Sequence, residues 1–218
     1  PTYGIAPIAE KLALQKYGGY ILSSNGGEIT NWQTGELMYE NVLDADVLPY
    51  LYQCAKENNF AIVTYKDKYV LTEHPDDEYV LKEAILNVME TQKVDNFLEA
   101  IDFPVAKCLI VGEATRLALL EQEMYEVLKD RMGVYRSEPY FLELVPKGID
   151  KAQSLAVLLE KIGATKEEMI AVGDGFNDLS MIKFAGLGVA MANAQEVVRQ
   201  SADYITLSNE EDGVAAVV

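Results

Sequence analysis

The chain has 218 residues, which fits one large domain or two modest ones, and half of them are hydrophobic, enough for a sizeable core. A formal net charge of -17 and a pI near 4.4 repel phosphate backbones and disfavour nucleic-acid binding. Small phosphorylated ligands stay open, because a bound metal reverses the local sign.

The first segment, "IAPIAEKLALQKY", spaces its apolar residues as a helix does. "GYILSS" follows as a short strand stopped by "NGG" at 25–27, and "EITNWQTGELMYE" reads as a hairpin turning at Thr34-Gly35. The middle reads differently. A helix in "DADVLPYLYQCAKENN" precedes a strand pair in "FAIVTYKDKYVLTE", with Lys66-Asp67 near its turn. A polar helix, the strand "AKCLIVGEA", a long acidic helix and a strand toward "PYFLELV" complete it. After that, "IDKAQSLAVLLEKIG" is a helix with Asp150 as N-cap and Gly163 as C-terminal stop. "EMIAVGDG" is a buried strand entering a loop, "LSMIKFAG" a short helix, and "LGVAMANA" and "ADYITLS" further strands. Strands alternating with helices at the two ends predict an α/β fold with a Rossmann-like, doubly wound parallel sheet. The middle predicts an inserted α+β module. The expected division is 1–38 and 141–218 for the sheet domain and 39–140 for the insertion.

No apolar run approaches the roughly 18 residues of a membrane span, and no basic segment followed by an apolar one opens these residues, so no secretion signal is expected. Cys54 and Cys108 lie far apart without CxxC spacing, as expected of two reduced thiols in a cytoplasmic protein.

"GDGFND" is the segment with chemistry in it. Asp174 follows the apolar run "MIAVG", at the carboxyl end of a strand, where open parallel sheets bind ligands. Gly173 and Gly175 are expected to let the backbone turn tightly and approach a ligand. Asn177 or Asp178 can cap the next helix. Carboxylates without histidine or cysteine suit a hard cation such as Mg²⁺. A lone "GDG" is a common turn, and the spacing lacks the glycine of a calcium-binding loop.

The longer stretch "GDGFNDLSMIKFAGLGVAMANA…ADYITLSNEEDGVA", with the helix before it and the early "YGGYILSSNGGEI", resembles the haloacid dehalogenase superfamily. Within it, the chain looks like the Cof-type sugar phosphatases, which carry a large α/β cap; the middle module has that cap's layout. The resemblance implies Mg²⁺-dependent hydrolysis of small phosphorylated metabolites through an aspartyl-phosphate. It implies Asp174 as a metal ligand, Asp178 as a residue supporting the metal shell or holding the loop, and Asn177 as a contact to the phosphoryl group or a neighbouring loop. It also calls for a phosphate-binding lysine. Lys151, at the start of a helix and in the matching register Ile149-Asp150-Lys151, is the choice; Lys147 in "PKG" is the fallback, since Ala152 stands where the family usually has glycine.

Asn25 in "SSNGG" reads equally as a turn residue or a substrate-side one. His74 is expected on a surface loop, Asp44 or Asp46 as a helix cap, and Asp203 and Asn209 at a strand start and a turn. The family's DxDGT nucleophile and its Ser/Thr-Gly-Arg motif do not occur in these residues. "PTYGIAPIAEKL" looks like the helix that follows the second of these, so both are expected upstream of Pro1, and the 218 residues alone are expected to be inactive. A non-catalytic phosphometabolite-binding or regulatory protein of the same fold is the alternative.

Overall fold

The computed structural model describes residues 2–218. Contacts divide the chain into two compact units, one running through Ile149 and one of Asp150–Val218.

The first unit opens with helix α1 (Thr2–Lys11) and a single turn, α2 (Leu14–Tyr17). The one helix expected there breaks because Ala13 is left-handed, at φ 52°. Strands β1 (Tyr20–Ser23), β2 (Glu28–Asn31) and β3 (Leu37–Glu40) then form an antiparallel meander, with Gly35 at φ 74° in the expected turn. Helix α3 (Leu48–Glu57), strands β4 (Ala61–Lys66) and β5 (Tyr69–Thr72), helix α4 (Glu78–Leu86), strands β6 (Glu90–Lys93) and β7 (Cys108–Val111), helix α5 (Ala114–Leu128), and strands β8 (Met132–Glu138) and β9 (Phe141–Pro146) follow. Their strands make a six-stranded sheet in the order β6-β5-β4-β7-β9-β8.

Leu51, Leu117, Leu120 and Met124 of α3 and α5 pack with Ile110, Leu142 and Leu144 of the sheet. Val80 and Ala84 of α4 pack with Val63, Val70, Leu109 and Phe141, residues that alternate with the first set along β7 and β9 and so lie on the other face. A buried ion pair, Lys107 with Glu143 at 2.9 Å, sits beside Tyr65 on that second face.

Strands β6 and β8 escaped the sequence reading because both are sheet edges: "ETQK" exposes most of its side chains, and so does the second half of "MGVYRSE". Strand β9 pairs with β8 and β7, Glu143 lying opposite both Tyr135 and Leu109, so residues 141–146 belong to the six-stranded sheet.

The second unit begins with α6 (Lys151–Ile162). The Asp150 side chain accepts from the N–H groups of Ala152 and Gln153, and Gly163 closes the helix at φ 71°, both as the sequence predicts. Strand β10 (Ile170–Gly173), helix α7 (Leu179–Phe184), strand β11 (Leu187–Ala190), the turn α8 (Glu196–Arg199) and strand β12 (Tyr204–Ile205) alternate into a parallel sheet, β10-β11-β12. The fold is therefore α/β with a parallel sheet, accompanied by a mixed α+β portion. Among the described residues no helix is long and apolar enough to cross a membrane.

Candidate active site

The loop after β10 is built around one buried carboxylate. Asp178 is only 6 % exposed, yet each of its oxygens has a partner. Oδ2 accepts from the backbone N–H groups of Asp174 (3.0 Å) and Gly175 (3.1 Å), and Oδ1 accepts from the Lys151 ammonium. Burial pushes this carboxyl up; the lysine and the two N–H groups outweigh it and hold the group below its ordinary 3.8. Asp178 is thus ionised and knots the first turn of α6 to the strand end.

The glycines explain how such a carboxylate fits. A Cβ on Gly173 would fall 2.5 Å from Cβ of Asp178, and one on Gly175 would fall 2.6 Å from Oδ1 of Asn177. Neither glycine has a positive φ. Their service is therefore space for the loop's own side chains, not the unusual turn expected from the sequence.

Asp174 is the complement of Asp178. It is exposed, and its carboxylate makes no hydrogen bond or ion pair among the described residues, while its carbonyl accepts from Gln195 N–H (3.1 Å). Asn177 is likewise exposed, and among the described residues its amide makes no hydrogen bond. The structure thus gathers Lys151, Asp174, Asn177 and Asp178 at the carboxyl edge of the parallel sheet. Lys147 is engaged elsewhere: its Nζ donates to the carbonyl of Asp130, 2.8 Å away, in the first unit. Asn25 also lies in the first unit. It is left-handed, at φ 56°, between Ser24 and Gly26, which also have positive φ, and its amide donates to the Tyr135 hydroxyl at 3.0 Å.

Of the two aspartates expected to hold a metal, only Asp174 presents a free carboxylate. Among the described residues no three His, Cys, Asp or Glu side chains group as a metal site. One hard oxygen donor still suits Mg²⁺, which commonly takes one or two carboxylates and completes its shell with water and substrate phosphate. The residues present therefore fit the ion as a single protein ligand.

Asp44 and Asp46 pair with Arg131, at 3.4 and 2.8 Å, and no side-chain cap bond forms at Asp44, so charge pairing replaces the expected capping. Asp203 accepts from Gly188 N–H (2.8 Å). His74 is exposed on the loop before α4, as expected, and helps line a cavity of about 620 Å³ in the first unit. That cavity, with Tyr52, Lys56 and Glu73 in its wall, includes none of the candidate residues. The sequence reading passed over Asn193, whose only signal was its place in "AMANA" just beyond β11. Its Oδ1 accepts from Asn209 N–H at 3.0 Å.

A family model for haloacid dehalogenase-like hydrolases matches residues 1–218. The chain belongs to that family. A solved haloacid dehalogenase-like hydrolase from Bacteroides thetaiotaomicron is 59% identical, covering 100% of this chain and 82% of its own, with a TM-score of 0.96. The Bacillus subtilis (strain 168) protein YxeH is 28% identical over 221 residues, covering 100% of this chain and 81% of its own length. From the same organism, 5-amino-6-(5-phospho-D-ribitylamino)uracil phosphatase YcsE is 46% identical over 101 residues, 45% of this chain and 41% of its own.

Proposed function

We propose that the protein is a cytoplasmic, Mg²⁺-dependent phosphomonoesterase acting on small phosphorylated metabolites. The observation that carries this is the Lys151–Asp178 knot beside the free Asp174 carboxylate at the sheet edge. Family membership and the phosphatase activity named for one relative support the reaction class.

Each residue has a part that its surroundings favour. Lys151 supplies a positive charge for phosphoryl oxygens, held in place by Asp178 rather than free to wander, so little reorganisation accompanies charge development. Asp178 is the positioning residue, since both its oxygens are already used. Asp174 would hold Mg²⁺, which when bound neutralises phosphate charge. Asn177, exposed beside it, would donate to a phosphoryl oxygen. The covalent step of an aspartyl-phosphate route needs a nucleophilic carboxylate in a DxDGT motif, which these 218 residues do not contain.

The test is phosphate release by the full-length protein from p-nitrophenyl phosphate and a panel of phosphorylated metabolites, with and without Mg²⁺. Release that needs Mg²⁺ is expected. A protein that binds sugar phosphates yet releases nothing would favour the non-catalytic alternative.

A further inference from the structure

We infer that Asn193 is a positioning residue for the Asp174 loop; the inference rests on the role of Asp174 proposed above. Three loops leave the carboxyl edge of the parallel sheet: 174–178 after β10, 191–195 after β11 and 206–213 after β12. Their backbones are joined in sequence. Met191 N–H donates to the Gly173 carbonyl (3.0 Å) and Gln195 N–H to the Asp174 carbonyl (3.1 Å), joining the first loop to the second. Ala192 N–H donates to the Leu207 carbonyl (3.3 Å), and Asn193 Oδ1 accepts from Asn209 N–H (3.0 Å), joining the second to the third.

The third loop is the anchor. The buried Thr206 donates its hydroxyl to the Gly213 carbonyl at 2.7 Å, and Glu211 accepts from both the hydroxyl (2.7 Å) and the N–H (3.3 Å) of Ser208. A Cβ on Gly213 would fall 2.1 Å from the Leu207 carbonyl oxygen, so the loop closes on itself without slack. Asn193 is exposed and fills no core. What its amide oxygen does is fasten residues 191–195 to that anchor. Through Gln195 the constraint reaches the backbone of Asp174, whose own carboxylate has no bond to fix it among the described residues. Asn193 thereby limits the directions in which Asp174 can point.

The experiment compares wild type, Asn193→Ala and Asn193→Asp by amide hydrogen exchange and by calorimetric titration with Mg²⁺. Alanine removes the acceptor; aspartate keeps an oxygen for Asn209. In Asn193→Ala, exchange at Gln195 and across 174–178 is expected to quicken about tenfold while α6 and β11 keep their protection. The Mg²⁺ dissociation constant is expected to rise about tenfold, the lower end for residues behind a metal ligand. Asn193→Asp is expected to restore the slow exchange. Unchanged exchange at 174–178 in the alanine variant, or an aspartate variant as fast as the alanine one, overturns the inference. So does faster exchange with unchanged Mg²⁺ affinity. A wild type that binds no Mg²⁺ sinks the metal role of Asp174 alone, and the exchange comparison still decides whether Asn193 holds the loop.

Discussion

Replacing Asp178 by asparagine keeps the side chain's size and removes its charge. The carboxylate serves three donors with two oxygens, and an amide has one. Turned one way, the amide nitrogen faces the N–H groups of Asp174 and Gly175; turned the other way, it faces the Lys151 ammonium. Hydrogen bonds to charged groups contribute about 1.5–3 kcal/mol, and a buried donor left unpaired costs a similar amount. The Lys151 side chain keeps 27% of its surface exposed, so water replaces part of what it loses. A loss of about 2 kcal/mol at neutral pH is therefore expected for the second unit, toward the lower part of that range. The pH dependence has a definite sign. A carboxyl held below its ordinary 3.8 in the folded state stabilises the fold above that value, and the contribution fades as pH falls from there through the lower folded value. Urea denaturation of wild type and Asp178→Asn should give a constant gap from pH 7 to about pH 5 that closes at lower pH. A gap under about 0.5 kcal/mol, the range of ordinary surface substitutions, would refute the knot. So would a gap that stays constant down to about pH 3, below the ordinary range of a carboxylate.

Asp174→Ala should abolish Mg²⁺-dependent phosphate release by the full-length protein while its stability in urea stays within about 0.5 kcal/mol of wild type, since the carboxylate is exposed and, among the described residues, unbonded. Gly173→Ala should cost about 1–3 kcal/mol in urea denaturation, because the new methyl meets Asp178 at 2.5 Å and one of them must move. It should also lower activity, since Asp178 cannot shift without releasing Lys151.

The capped helix α6 and the buried strands were legible in the sequence, and the edge strands β6 and β8 were not. Asp150 and Gly163 bracket α6 because capping chemistry is local. Strand β7, "CLIV", is wholly buried and reads as apolar. Strand β6 carries its polar side chains at an edge, so no periodicity marks it, and its parallel partner β5 lies across a whole helix. In the site, spacing located the acidic loop but could not say which carboxylate is spent internally. That depends on Lys151, 27 residues away, lying against Asp178 and not against Asp174. The glycines of "GDG" were legible as special, but the reason was not: their missing Cβ atoms make room for Asp178 and Asn177. In the sequence, the register Ile149-Asp150-Lys151 favours Lys151 over Lys147. In the structure Lys147 donates to the Asp130 carbonyl and Lys151 to Asp178.

The lysine comparison tests the central claim most directly. Phosphate release by the full-length protein is measured at saturating Mg²⁺ for wild type, Lys151→Ala and Lys147→Ala. Removing a charge that acts on transferring oxygens should lower kcat by roughly 10²–10³ in Lys151→Ala. Lys147→Ala, which loses only a bond to Asp130, should stay within a few fold of wild type. Equal losses in the two variants, or the larger loss in Lys147→Ala, would contradict the placement of the phosphate site at the Lys151–Asp178 knot.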